Sequence, residues 1–306
     1  MSYNTNILSL SRWKRFPNAL DFTVMTVWVF ISQLLVFGIA TACGLEGPDM
    51  EAMHSADADI SLWANIKAAQ TLVIIYPAIM MLSIAGILLY RRIRGGRGSV
   101  ARLSAEGLNP SLILAGFVWM ISAQIVIEPL MSLLPPIPDT VGRGLFAILV
   151  TVIMAPLFEE FLCRGIILES FRAKYGVTVA WLCSSLFFAI IHGHITAMAN
   201  ALIMGAILGY ICIRSRSLLS VVILHAMNNG LALTFMSMGL GDRSFFDLFA
   251  DKRIYDSVYT AAVIVCLVGA ASVVSRFLKE YRAEKAEREA AAAGSEPESE
   301  KTNLDA

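Results

Sequence analysis

The nine residues P-L-F-E-E-F-L-C-R (156–164) place two adjacent carboxylates, Glu159 and Glu160, and the guanidinium of Arg164 inside an apolar run at 143–171. That run exceeds the ~20 residues a helix needs to cross a bilayer. A charge at the bilayer centre costs about 3 kcal/mol on insertion scales, so ionisable residues at that depth point to function. The stretch therefore predicts a membrane-spanning helix whose charged groups have partners elsewhere in the chain.

The rest of the composition agrees. Hydrophobic residues make up 57% of the 306 residues and charged residues 16%. Globular domains carry about 25% charged residues. Mean hydropathy is +0.67. The net charge is zero and there is no basic patch of the nucleic-acid-binding kind, so no nucleic-acid partner is expected. The five cysteines, Cys43, Cys163, Cys183, Cys212 and Cys266, are isolated in apolar runs with no C-x-x-C. They read as packed free thiols rather than a disulfide framework or zinc knuckle.

Working outward, eight apolar runs predict an all-α, polytopic transmembrane helix bundle. They lie at about 22–45, 63–90, 111–134, 143–171, 177–192, 195–213, 218–236 and 255–277. The first follows Arg12, Lys14 and Arg15 and is not closed by an A-x-A-like site, so it reads as an uncleaved span. Pro77 predicts a kink in the second, and the turn P-P-I-P-D closes the third. Basic residues recur at every second boundary: Arg12/Lys14/Arg15, the Arg91–Arg102 cluster, Arg172/Lys174, Arg214/Arg216 and the tail. The first opposite loop carries Glu46, Asp49, Glu51, Asp57 and Asp59 without Lys or Arg. The positive-inside rule then puts both termini in the cytoplasm, with Arg143, Arg243, Lys252 and Arg253 as exceptions. Three segments are expected: a cytoplasmic stretch at 1–20, a transmembrane domain at 21–277 with its motif-bearing core at about 143–236, and a charged tail at 278–306. Residues 279–293 form a charged, alanine-rich helix with pairs such as Glu284 and Arg288, and Gly294 stops it.

Few polar residues fall at membrane depth. Of four histidines, His54 is in the acidic loop and His192, His194 and His225 belong to the membrane part. His225 and Asn229 are four apart, on one helix face. Counting ~1.5 Å per residue from the cytoplasmic ends puts Glu159 and Asn229 at ~18 Å, His225 at ~12 Å and His192 at ~22 Å. Groups from three helices thus share one level. Glu160 and Arg164 are four apart, ~40° on the helix wheel, whereas Glu159 and Arg164 are ~140° apart. Arg164 is therefore expected to pair with Glu160 in a supporting role, leaving Glu159 to face the histidines. Pro156, one turn earlier, is expected to open the helix and free a carbonyl.

Such a set suits hydrolysis. Glu159 beside His192 suits deprotonation of a water, and His225 with Asn229 suits donation to an oxyanion. Glu159, His192 and His225 would alternatively make a zinc site with a water in the fourth position, although H-E-x-x-H is absent. Ser184, Ser185 and Ser220 lack a G-x-S-x-G context or an evident base. Taken singly, each group has a plainer reading. His225/Asn229 fits an interhelical hydrogen-bond pair, His192 and His194 interfacial histidines, Glu128 an interfacial acid and Phe188 packing.

Three motifs carry a family resemblance. E-E-F-L-C-R (159–164) resembles the E-E-x-x-x-R of the CPBP family, the CAAX proteases and bacteriocin-processing enzymes. F-A-I-I-H (188–192) resembles its F-x-x-x-H, and H-A-M-N-N (225–229) its H-x-x-x-N. They occur in the family's order without departure, covering about 145–235. The resemblance implies an intramembrane endopeptidase related to type II CAAX prenyl proteases. Its cavity would open to the cytosol of a bacterial inner membrane, and its substrate would be a peptide or membrane protein, prenylated or not. By matching positions, Glu159 and His192 would activate the water and His225 and Asn229 would stabilise the oxyanion. The family has been labelled metalloprotease. The glutamic, metal-independent description is the one expected here, with no cofactor and with zinc as its alternative. Two other classes compete: a non-catalytic scaffold or immunity factor, and a transporter or proton relay. The latter is disfavoured because no inverted repeat is visible.

Overall fold

The computed structural model describes residues 16–96, 100–101, 103–137, 140–240, 244–249 and 251–293. Arg12, Lys14, Arg15, Arg97, Arg102, Pro138, Asp139, Asp242, Arg243 and the tail from Gly294 lie outside the described residues, as do the side chains of Glu284 and Arg288.

The described residues form helices and turns, without strands. Seven helices are long and apolar enough to cross a membrane. They are α1 (Ala19–Ala42), α2 (Ala58–Ile93), α3 (Pro110–Met131), α4 (Leu145–Tyr175), α6 (Ile195–Ser215), α7 (Leu218–Ser237) and α8 (Lys252–Ala293). The fifth expected span is α5, Val177–Ile190, and it has only 14 residues. At ~1.5 Å per residue it reaches ~21 Å, short of a ~30 Å hydrocarbon core. The sequence hid this because the apolar run continues to Ile191, while the turn His192-Gly193-His194 (Gly193 φ 71°) ends the helix. Pro77 lies inside the 36-residue α2. The eighth span and the charged helix after it are one helix, α8.

α4 is the axis of the bundle. It packs against α2, α5, α6 and α7, while α3 packs against α6, α7 and α8. Seven consecutive residues, Leu162–Leu168, are buried all round. A helix achieves this only when neighbours cover every face. Elsewhere tryptophans fit against glycines. A Cβ on Gly86 would lie 2.0 Å from Trp28 Nε1, joining α1 to α2, and one on Gly269 would lie 2.2 Å from Trp119 Cε2, joining α3 to α8. The start of α1 is fastened to the end of α2 by Asp21. It completes a capping box with Asn18 and accepts hydrogen bonds from Tyr90 Oη (2.7 Å) and Arg94 Nε (2.9 Å).

α4 is not a uniform α-helix. Wide π-helical stretches at Leu149–Met154 and Phe161–Leu168 flank the α-helical Ala155–Glu160. Pro156, the second residue of that middle piece, has no N–H to donate. The Ala155 N–H reaches back five residues to the Val150 carbonyl. The five-residue partner of the Thr151 carbonyl would be position 156, where proline offers nothing. π-turns of this kind recur at functional sites.

Candidate functional site

The distorted part of α4 carries both glutamates, and they have different surroundings. Glu160 is fully buried, whereas the Glu159 side chain keeps 14% of its surface exposed. Glu160 Oε1 accepts from Arg164 Nη1 at 3.0 Å. Arg164, also fully buried, donates through Nη2 to the Gly205 carbonyl on α6 at 2.8 Å. A second salt-bridged contact comes from α7, where His225 Nδ1 lies 2.9 Å from the same Glu160 oxygen. A carboxylate paired with arginine only accepts, so this histidine nitrogen carries the hydrogen. The opposite nitrogen, Nε2, then faces Glu159 Oε2 at 3.9 Å.

The pairing of Glu160 with Arg164 agrees with the helix wheel. Glu159 faces His225, as its freedom from Arg164 suggests, and the second expected partner is His192. That residue lies past the end of α5, exposed, and its Nδ1 donates to the Phe188 carbonyl at 2.7 Å. Among the described residues no hydrogen bond or ion pair joins His192 to Glu159. What links His192 to the rest is Phe188. Its ring lies edge-on to His192 (4.8 Å between centroids) and to His225 (5.6 Å), and the Arg164 guanidinium sits over it at 4.6 Å. Phe188 is thus packing, as read, and also the shared wall of three polar groups. His194 occupies the N-cap position of α6.

Asn229 lies one turn beyond His225 on α7. Its Nδ2 donates to the Thr151 carbonyl at 2.9 Å, the acceptor left without a helical partner by the π-turn and Pro156. The expectation that Pro156 frees a carbonyl is thereby met, and the carbonyl is Thr151. Asn229 Oδ1 accepts from Asn228 Nδ2 at 3.4 Å, and Asn228 Oδ1 accepts from Gln124 Nε2 on α3. Among the described residues no three His, Cys, Asp or Glu side chains converge as a metal-binding group, so Glu159, His192 and His225 are not assembled as one in this geometry.

Two participants were missed by the sequence reading. Tyr76 on α2 donates its hydroxyl to Glu159 Oε1 at 2.7 Å. In sequence it is one aromatic among apolar residues, so nothing but the rule that buried tyrosine hydroxyls find partners could have flagged it. Gln124 was visible as an isolated amide within the third apolar run, a signal of the same kind as Asn229.

Comparison with known proteins bears on the same stretch. Residues 141–231 match the family model described as Type II CAAX prenyl endopeptidase Rce1-like. The matched stretch contains all three motifs, with Glu159, His192, His225 and Asn229; Tyr76 and Gln124 fall outside it. An Escherichia coli protein described as "Uncharacterized 24.3 kDa protein" is 33% identical over 144 residues, covering 39% of this chain. The chain spans 64% of that relative's length. No solved structure matches. The seven apolar helices among the described residues and the family match support an integral membrane protein, and residues 141–231 are similar to a protease-family domain.

Proposed function

Taking residues 141–231 as an Rce1-like domain, we propose that the chain is an intramembrane endopeptidase that cleaves a peptide bond of a membrane-associated peptide or protein with a water activated by Glu159. The observation that carries this reading is the unequal pair of glutamates around His225. Glu160 is buried, paired with Arg164, and holds one nitrogen of the histidine. Glu159 is reachable by water and stands 3.9 Å from the other nitrogen. That gap is too long for a direct hydrogen bond, yet an oxygen seated beside it reaches both atoms at about 2.8 Å.

In the reaction the water oxygen bonds to the scissile carbonyl carbon as Glu159 takes its proton. His225 Nε2 and the second Asn229 Nδ2 hydrogen face the oxyanion that forms. For this His225 carries hydrogen on both nitrogens, and its charge with those of Arg164, Glu159 and Glu160 sums to zero. As the carbon–nitrogen bond breaks, Glu159 passes its proton to the leaving amine. His192 is exposed, and its Nδ1 is held by the Phe188 carbonyl. In this reading it receives the incoming water or the substrate backbone. A cytosolic opening and a glutamic rather than metal-assisted mechanism belong to the same proposal.

Purified protein in proteoliposomes, mixed with a farnesylated C-a-a-X peptide and separately with solubilised membrane proteins, tests it. New peptide N-termini should appear with wild type and be absent with Glu159→Ala. Equal product from both proteins would remove the assignment.

A further inference from the structure

We infer that Tyr76, on a helix outside the family-matched stretch, is a positioning residue that fixes which oxygen of Glu159 meets the water. This rests on the proteolytic reading and adds a residue to it. A carboxylate on a side chain with three rotatable bonds can turn and present either oxygen to His225. Here Oε1 is occupied by the Tyr76 hydroxyl at 2.7 Å, and Oε2 is the oxygen nearest His225 Nε2, at 3.9 Å. Held this way, Glu159 cannot swing to collapse onto His225 in a direct ion pair, and the gap beside the pair stays open.

The plainer reading is that the hydroxyl fastens α2 to α4. The structure gives that task to other groups. Two turns earlier on α2, Ala69 packs against Ala147 of α4, both fully buried, with Leu233, Phe146 and Val141 around them. On the approach to α4, Gly142 sits so close to α2 that a Cβ would lie 2.2 Å from the Asn65 carbonyl oxygen. The Tyr76 ring itself packs on the main core independently of its hydroxyl. Removing the oxygen alone therefore leaves the helix contact in place. The carboxylate is what loses its partner.

Tyr76→Phe is the test, assayed on whichever peptide wild type cleaves fastest among those above. We expect kcat to fall about 10- to 100-fold, the scale of a misplaced reacting group, with KM within twofold of wild type. The melting temperature in detergent should drop by no more than about 4 °C. Three outcomes overturn the inference. If wild type cleaves and Glu159→Ala does not, but Tyr76→Phe keeps its kcat within twofold, the positioning role alone falls. If kcat loss comes with a larger drop in melting temperature or a matching rise in KM, Tyr76 is a fastener. If wild type cleaves nothing, the proteolytic reading falls and this inference with it.

Discussion

Asn229 closes the hydrogen-bond vacancy that Thr151 would otherwise leave, donating to its carbonyl at 2.9 Å. The vacancy has a sequence cause: the Ala155 N–H is drawn to Val150, and residue 156 is proline. The bond fixes the orientation of the Asn229 amide, so one hydrogen of Nδ2 is committed and the other is free for the site. Pro156→Ala supplies a new N–H on α4 that competes for this carbonyl. The expected outcome is a higher melting temperature with lower turnover, read by calorimetry and the cleavage assay. Asn229→Ala should lower kcat by about 100- to 1,000-fold, as loss of one oxyanion donor does elsewhere.

Arg164 and His225 both contact Glu160, and Arg164 and Glu160 are fully buried. Breaking a buried pair from one side leaves an uncompensated charge and costs about 3–5 kcal/mol. Arg164→Met should therefore lower the melting temperature sharply. Arg164→Lys should not restore it, because one ammonium does not reproduce the planar fork that meets both Glu160 and the Gly205 carbonyl. Detergent melts of the two variants check this.

Gly205 of α6 accepts a hydrogen bond from Arg164 at 2.8 Å. A Cβ there would lie 2.9 Å from Phe188 Cδ1 and 3.4 Å from the Ser185 carbonyl. Gly205→Val should cost about 1–3 kcal/mol by overpacking. It should also reduce turnover beyond what the melting temperature explains, since Phe188 contacts His192, His225 and Arg164. Turnover measured well below the melting temperature separates the two effects.

The metal question has a direct measurement. With the three candidate ligands not gathered into one group, active protein is expected to contain less than stoichiometric zinc and to keep its turnover in chelator. Elemental analysis of the preparation used for kinetics is the check. Zinc at one per chain, with activity lost to chelator and regained on adding zinc, would overturn the metal-free mechanism.

Much of the site was legible because charge in an apolar run is conspicuous. Glu159, Glu160, Arg164, His225 and Asn229 all stood out, and helical periodicity alone paired Glu160 with Arg164. What the sequence could not supply was distance between helices. Depth puts His192 level with Glu159, but depth along the membrane normal says nothing about lateral position. Tyr76 was invisible for a different reason: a tyrosine among aliphatic residues is indistinguishable from packing until its hydroxyl has an address. The fold class followed from composition, while the end of α5 did not, because hydropathy continues through Ile191 where the backbone turns.

That short α5 has a consequence for the surrounding lipid. Its apolar face is turned outward, with Val179 at 39%, Leu182 at 54% and Leu186 at 45% exposure. A wall ~21 Å tall beside neighbours of ~30 Å creates a local hydrophobic mismatch. Bilayers answer such a mismatch by thinning. Thinning at the end of α5 would bring headgroups and their water towards the turn bearing His192. Turnover in bilayers of graded acyl-chain length is then expected to rise as the chains shorten.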